Sequence, residues 1–315
     1  MTCPEPLATA FCGLPGAEIF GGMVSLSDDL LHLNNSFYLI VNADDYGLTP
    51  GVSAGIRYAH THGLVTSTSV LVTQPTIAEE IQMATSETPN LGLGLHLNLT
   101  SGKPIQDCRK IRTLLNETGN FYRPSELESK LEILDPSEVD AEWQAQLERF
   151  QNLVNSSPDH IDSHHYISYR TPWLFQIMIK LAADIRCPVR MPFSYLATTR
   201  MGEMPFRTTG SMIIQAPRIL RRYQVSSSAH CITAFYGPHA TDKALRNILL
   251  RLEPGVTELV CHPGFNNLEL MKKSSYHQNR QEELTLLTDN KALSIISERN
   301  IRLISWKVLK QANGK

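Results

Sequence analysis

Residues 39–56, "LIVNADDYGLTPGVSAGI", run an apolar segment straight into two adjacent carboxylates, Asp44 and Asp45, then through a turn containing Gly and Pro into a helical pattern. A short continuous apolar run bounded by turn residues reads as a buried strand, here residues 39–43, and the spacing predicts a helix over 51–62. Two neighbouring carboxylates repel each other unless a cation or a shared proton offsets them, and a metal ion supplies that offset. A plainer reading makes them the cap and turn before the helix, for which Asp is suited. That accounts for one Asp and not for both. In extended backbone, neighbours point to opposite faces, so one carboxylate is expected to bind a metal and the other to face a substrate.

Outward from this unit the alternation repeats. Strands are expected at 65–73, 90–100, 158–169, 188–191 and 256–264, with a last one in "IRLISW" at 301–306. Helices are expected at 77–85, 137–154, 172–183, 242–252 and 282–298. This order favours an α/β fold with a mostly parallel sheet and helices outside it. Residues 106–121 look like a loop-rich insertion, and 194–223, weakly patterned, read as a lid or excursion over a site. Residues 1–36, rich in Pro and Gly, are taken as an N-terminal extension, and 37–315 as one domain.

With 315 residues, 42% of them hydrophobic, the chain has enough apolar material for one large core. Lys and Arg number 29 against 31 Asp and Glu, a balance without the basic excess of a nucleic-acid binder. Six cysteines are scattered with no C-x-x-C pair, which argues against a zinc ribbon or a disulfide framework and for reduced, mostly buried thiols. The N-terminus lacks a positively charged leader and no apolar run reaches the length of a membrane span, so the expectation is a cytoplasmic protein with no membrane partner.

Polar clusters recur where strands are expected to end: Asp44-Asp45, His96, Asp162-Ser163-His164-His165 and His262. Parallel α/β folds project their catalytic groups from the C-terminal ends of strands. A lone strand-end His is more often structural, but four such clusters in one chain reverse the odds. Residues two apart share a strand face, so Asp162 and His164 are expected to point the same way. One Asp with two His, leaving open positions, suits a divalent hydrolytic metal. His262, followed by Pro and Gly, is a reasonable general acid near neutral pH. His60 and His62 read as surface residues, and Arg221-Arg222 as a small basic face.

The motifs "IVNADDYGLTPGVSAGI", "GLVTSTSVLV", "LGLHLNLTSGKPI", "DHIDSHHYIS" and "ELVCHPG", taken in order from about Leu39 to Trp306, resemble the YdjC-like carbohydrate deacetylases, which include chitooligosaccharide deacetylases. The resemblance implies a distorted TIM-barrel-like (β/α) barrel and metal-dependent removal of an N-acetyl group from a sugar, with Mg²⁺ or another divalent ion such as Zn²⁺. It also implies a homodimer. Carried over by motif, Asp45, His96 and His164 bind the metal, Asp44 is the catalytic base and His262 the acid. Asp162, His165 and Arg190 are expected to support these groups or to touch substrate. Tyr46 stands where the family usually has Phe. Tyr166 and Ser168 replace two histidines of a "DSHHHVH" pattern, which bears on substrate identity. A deacylase or isomerase on another sugar-linked substrate, or a sugar-binding protein without turnover, are the alternatives.

Overall fold

A computed structural model describes residues 36–192 and 210–313. The proposed extension, Ser36 apart, and residues 194–209 of the proposed lid lie outside the described residues. Among these, seven parallel strands form one sheet: β1 (Phe37–Tyr46), β2 (Ser67–Val70), β3 (Gly92–Leu97), β4 (Ile161–Ser163), β5 (His230–Ile232), β6 (Gly255–Cys261) and β7 (Arg302–Leu303). Their order is β4-β3-β2-β1-β6-β5, with β7 pairing β1.

β1 is central because its apolar side chains are buried on both faces, from Tyr38 to Tyr46. It pairs with β6 over Phe37 to Ala43, and on its other side with β7 through Tyr38 and Leu39, then with β2 from Asn42 onward. The expected strand at 188–191 is reduced to single parallel bridges, Ile161 with Val189 and Val189 with Ser227. These carry the pairing from β4 toward the segment entering β5. The sheet is therefore a curled, incompletely closed barrel, parallel as the alternation leads one to expect and of the distorted (β/α) form that the family resemblance implies.

The helices are α1 (Pro50–His62), α2 (Ile77–Glu87), α3 (Pro124–Glu128), α4 (Pro136–Val154), α5 (Pro172–Asp184), α6 (Gly210–Tyr223), α7 (Asp242–Leu250), α8 (Leu268–Lys273), α9 (Gln278–Leu287), α10 (Asn290–Glu298) and α11 (Trp306–Asn313). The cap of α1 is Thr49, whose hydroxyl accepts from the Val52 N–H at 3.2 Å, with Pro50 in the first turn. The carboxylates of Asp44 and Asp45 are thus left for another purpose. The single helix expected over 282–298 is two, because Asp289 stops α9 and caps α10 through the Lys291 N–H. Trp306 begins α11 instead of ending a strand, and its ring stacks 5.0 Å from His160. His160 lies against Gly94, where a Cβ would stand 2.1 Å from the imidazole, so β3 admits the ring only because Gly is there. Among the described cysteines, Cys187 and Cys261 are buried, Cys231 half-buried and Cys108 exposed, all as free thiols.

Candidate active site

The register of β1 against β2 runs Ala43 with Thr68 and then Tyr46 with Val70, so β1 spends three residues where its partner spends two. Asp44 and Asp45 occupy that bulge, and Asp45 takes a left-handed φ of 74°. Strict alternation, which sends neighbouring side chains to opposite faces, therefore fails at this point. Both carboxylates enter one pocket. His96 Nε2 lies 3.4 Å from Asp45 Oδ1 and 4.0 Å from Asp44 Oδ2.

His96 comes from the end of β3, and the register places it directly beside Asp162 of β4. His96 Nδ1 is 2.7 Å from Asp162 Oδ1, so a proton on Nδ1 is donated to that carboxylate and Nε2 is left facing the paired Asp residues. β4 ends at Ser163, and His164 heads a 3₁₀ turn in which His165 and Tyr166 have φ of 53° and 54°. With Asp45, three of the seven left-handed non-glycine residues among those described thus cluster here, the kind of local strain that functional sites hold. His164 faces Asp45, with Nδ1 at 2.8 Å from Oδ1. His165 is exposed beside it, its ring centroid 3.7 Å from that of His164 and its Nδ1 2.8 Å from Thr100 Oγ1.

Arg190 has no exposed surface and bonds three carboxylates at once. Its Nη1 and Nη2 hold Asp44 Oδ2 and Oδ1, each at 2.7 Å, as a bidentate fork. Nη1 also reaches Asp162 Oδ2 at 2.8 Å, and Nε reaches Glu258 Oε1 at 2.9 Å. Asn42 Nδ2 adds a bond of 2.9 Å to Asp44 Oδ1. Asp44 is fixed in orientation, with Oδ2 turned toward His96 and toward His262 Nε2 at 3.9 Å.

The wall opposite is built by α9. Arg280 and Glu283, three apart and so on one helix face, reach the sheet together. Arg280 Nη2 bonds Asp45 Oδ2. Glu283 accepts from the backbone N–H of His262 and from the Tyr276 hydroxyl, so it ties down the strand end that carries His262. Burial pushes the Glu283 carboxyl up to about 7, against the lowering effect of those two hydrogen bonds.

A carboxyl raised in the folded state keeps its proton where the unfolded chain has lost it, so folding is progressively penalised as pH rises from about 4.5 to about 7. In the metal-free protein, Glu283→Gln removes that penalty. The stability difference, variant minus wild type, is expected to rise by about 3 kcal/mol across the window, read from urea midpoints at pH 5 and 7.5. A pH-independent difference contradicts the assignment.

Does the donor set fit a cation? Asp45 Oδ1 is buried and near both His96 and His164, yet it accepts a hydrogen bond of acceptable geometry from neither. An orphaned carboxylate oxygen between two imidazole nitrogens is what a metal-binding trio leaves when no ion is counted. The charge agrees. Burial alone would push the His96 imidazolium down, but Asp162 and Asp44 outweigh it and raise it to about 10. The carboxylates around His96 thus favour positive charge at that ring, although Arg190 and Arg280 already pair with Asp44, Asp162 and Asp45. Asp45, His96 and His164 form one group able to hold an ion; Asp44, His96 and Asp162 form another, but Arg190 already occupies two of its carboxylates.

The structure therefore brings Asp44, Asp45, His96, Asp162, His164, His165, Arg190 and His262 into one pocket. His60 lies apart, at 2.8 Å from the Val65 carbonyl, and His62 is exposed. Arg280, Glu283, Tyr276, Glu258 and Asn42 escaped the reading of the sequence. The Arg280/Glu283 pair had a signal in its spacing of three, which is equally that of any solvated helix face.

The family model for YdjC-like protein matches residues 38–298. A carbohydrate deacetylase of Geobacillus stearothermophilus is 33% identical over 271 residues, covering 86% of this chain and 97% of that protein. A chitooligosaccharide deacetylase of Proteus mirabilis is 31% identical, covering 86% and 98%. A crystal structure from Enterococcus faecalis V583, described as a candidate cellobiose-phosphate cleavage protein, superposes with a TM-score of 0.75 at 32% identity, covering 87% of this chain and 99% of that one. No described helix is long and apolar enough to cross a membrane. By the family match over most of its length and by its relatives, this chain belongs to the YdjC-like family.

Proposed function

We propose that this protein is a metal-dependent carbohydrate deacetylase that hydrolyses the N-acetyl group of an amino sugar or a short chitooligosaccharide, releasing acetate. The observation that carries the reading is the orphaned Asp45 oxygen between His96 and His164, with Asp44 and His262 beside it. Relatives named carbohydrate deacetylases supply the substrate class.

Asp45, His96 and His164 would hold the divalent ion, Mg²⁺ by resemblance, with Zn²⁺ also suited to two imidazoles. When bound, the ion supplies positive charge that polarises the acetamide carbonyl and stabilises the charge developing on its oxygen. The remaining work belongs to the chain. Asp44, oriented by the Arg190 fork, takes a proton from the attacking water. Burial drives the His262 imidazole down to about 4, so it stands neutral at pH 7. A neutral His262 can receive the proton that Asp44 has gained and pass it to the departing nitrogen as the C–N bond breaks, leaving acetate and a free amine. Asp162 holds the His96 ring with Nε2 inward.

The reading is tested by incubating purified protein with di-N-acetylchitobiose and a panel of N-acetylated monosaccharides, assaying acetate, free amine and ketose. Acetate and amine in equal amounts support it. Ketose without acetate favours an isomerase, and sugar binding without product favours a binding protein.

A further inference from the structure

Tyr236, four residues after β5, is 44% exposed although its ring lies against His262, beside the buried Asp44. Its ring stacks face to face on Tyr276, with centroids 4.2 Å apart and planes 3° from parallel. Both tyrosines meet the His262 ring edge-on, at 5.2 and 5.9 Å. His262 Nε2 is in turn 3.9 Å from Asp44 Oδ2. One face of Tyr236 is therefore used by Tyr276, and the ring sits immediately next to the pair assigned to proton transfer.

The arrangement is held rigid from behind. The Gly237 N–H donates to the Tyr276 hydroxyl at 2.6 Å, and that hydroxyl donates to Glu283. Glu283 also accepts from the His262 N–H, so a single buried carboxylate ties the tyrosine pair to the strand end that carries His262. Gly237, with φ of 57°, turns the chain directly behind Tyr236. A ring braced in this way stays 44% exposed beside the His262–Asp44 pair. It offers a flat, electron-rich face. A pyranose ring has one face lined with C–H bonds that match such a surface, and sugar sites combine aromatic faces with a few polar groups.

We infer that Tyr236 is a stacking platform for the sugar ring that bears the reacting acetamide, placing the amide against Asp44 and His262; the inference rests on the deacetylase reading above. Stacking needs the face of the ring and not its hydroxyl. Tyr236→Ala is therefore expected to raise KM for di-N-acetylchitobiose about tenfold with kcat within about twofold, while Tyr236→Phe and Tyr236→Trp stay within about threefold of wild type in both. If Tyr236 only props Tyr276 and His262, the alanine variant instead loses kcat and thermal midpoint with KM unchanged, and the platform is overturned. Should wild-type protein release no acetate, the deacetylase reading fails by itself, and calorimetric titration of di-N-acetylchitobiose still decides the platform. Weaker binding to Tyr236→Ala than to wild type supports it; equal binding, or none to wild type, overturns it.

Discussion

Asp44→Asn is expected to lower kcat for acetate release about a hundredfold or more while leaving the metal content of the purified protein unchanged. The two neighbouring carboxylates differ in what surrounds them. Asp45 presents its orphaned oxygen to His96 and His164, whereas Arg190 and Asn42 hold Asp44 with its Oδ2 between His96, at 4.0 Å, and His262, at 3.9 Å. An amide at position 44 keeps the volume but accepts no proton from water. It also offers one acceptor oxygen where the Arg190 fork meets two, so a modest loss of stability accompanies the loss of turnover. Metal analysis beside steady-state kinetics checks both halves. Turnover within about threefold of wild type would remove Asp44 as the base, and loss of metal would make it a ligand.

Arg190→Met is expected to destabilise the fold by about 3–5 kcal/mol, because it strands buried carboxylates that have no solvent to turn to. Asp44, Asp162 and Glu258 all lose a partner at 2.7 to 2.9 Å. Methionine fills much of the space, so the loss reports charge and not a cavity. The pH response distinguishes the two: unpaired carboxyls take up protons more readily in the folded variant, so its deficit against wild type shrinks as pH falls from 7 toward 5. Arg190→Lys retains the charge but cannot span three carboxylates, and is expected to keep more stability than activity. Urea unfolding of the three proteins at both pH values is the check. A deficit of under about 1 kcal/mol in the methionine variant would contradict the network.

How far the sequence reveals this site depends on the kind of interaction concerned. The apolar run of β1 and the helical period of α1 are local, and residues 39–56 display both. The strand-end placement of His96, Asp162 and His262 follows from parallel α/β architecture, which brought them together without any structure. The bulge at Asp44 and Asp45 is not local. It depends on the register with β2 and on one left-handed residue, so simple alternation assigned the two carboxylates to opposite faces. His164 likewise leaves the strand for a 3₁₀ turn, and it meets Asp45 through that turn instead of through a shared face with Asp162. β5, three half-buried residues at the sheet edge, has too little apolar pattern to register. Arg280 and Glu283 show only an ambiguous spacing for a further reason: charged residues on a helix ordinarily face water, and here the packing of α9 against the loop after β6 and against α1 buries them.

The central claim is that a cation held by Asp45, His96 and His164 is what this arrangement of residues serves. The most direct test is acetate release from di-N-acetylchitobiose by purified protein before chelation, after chelation, and after adding back Mg²⁺ or Zn²⁺, with Asp45→Asn run in parallel. The account predicts release that chelator abolishes and one of the ions restores in wild type but not in the variant. Acetate release indifferent to chelator, or fully restored in Asp45→Asn, would contradict it.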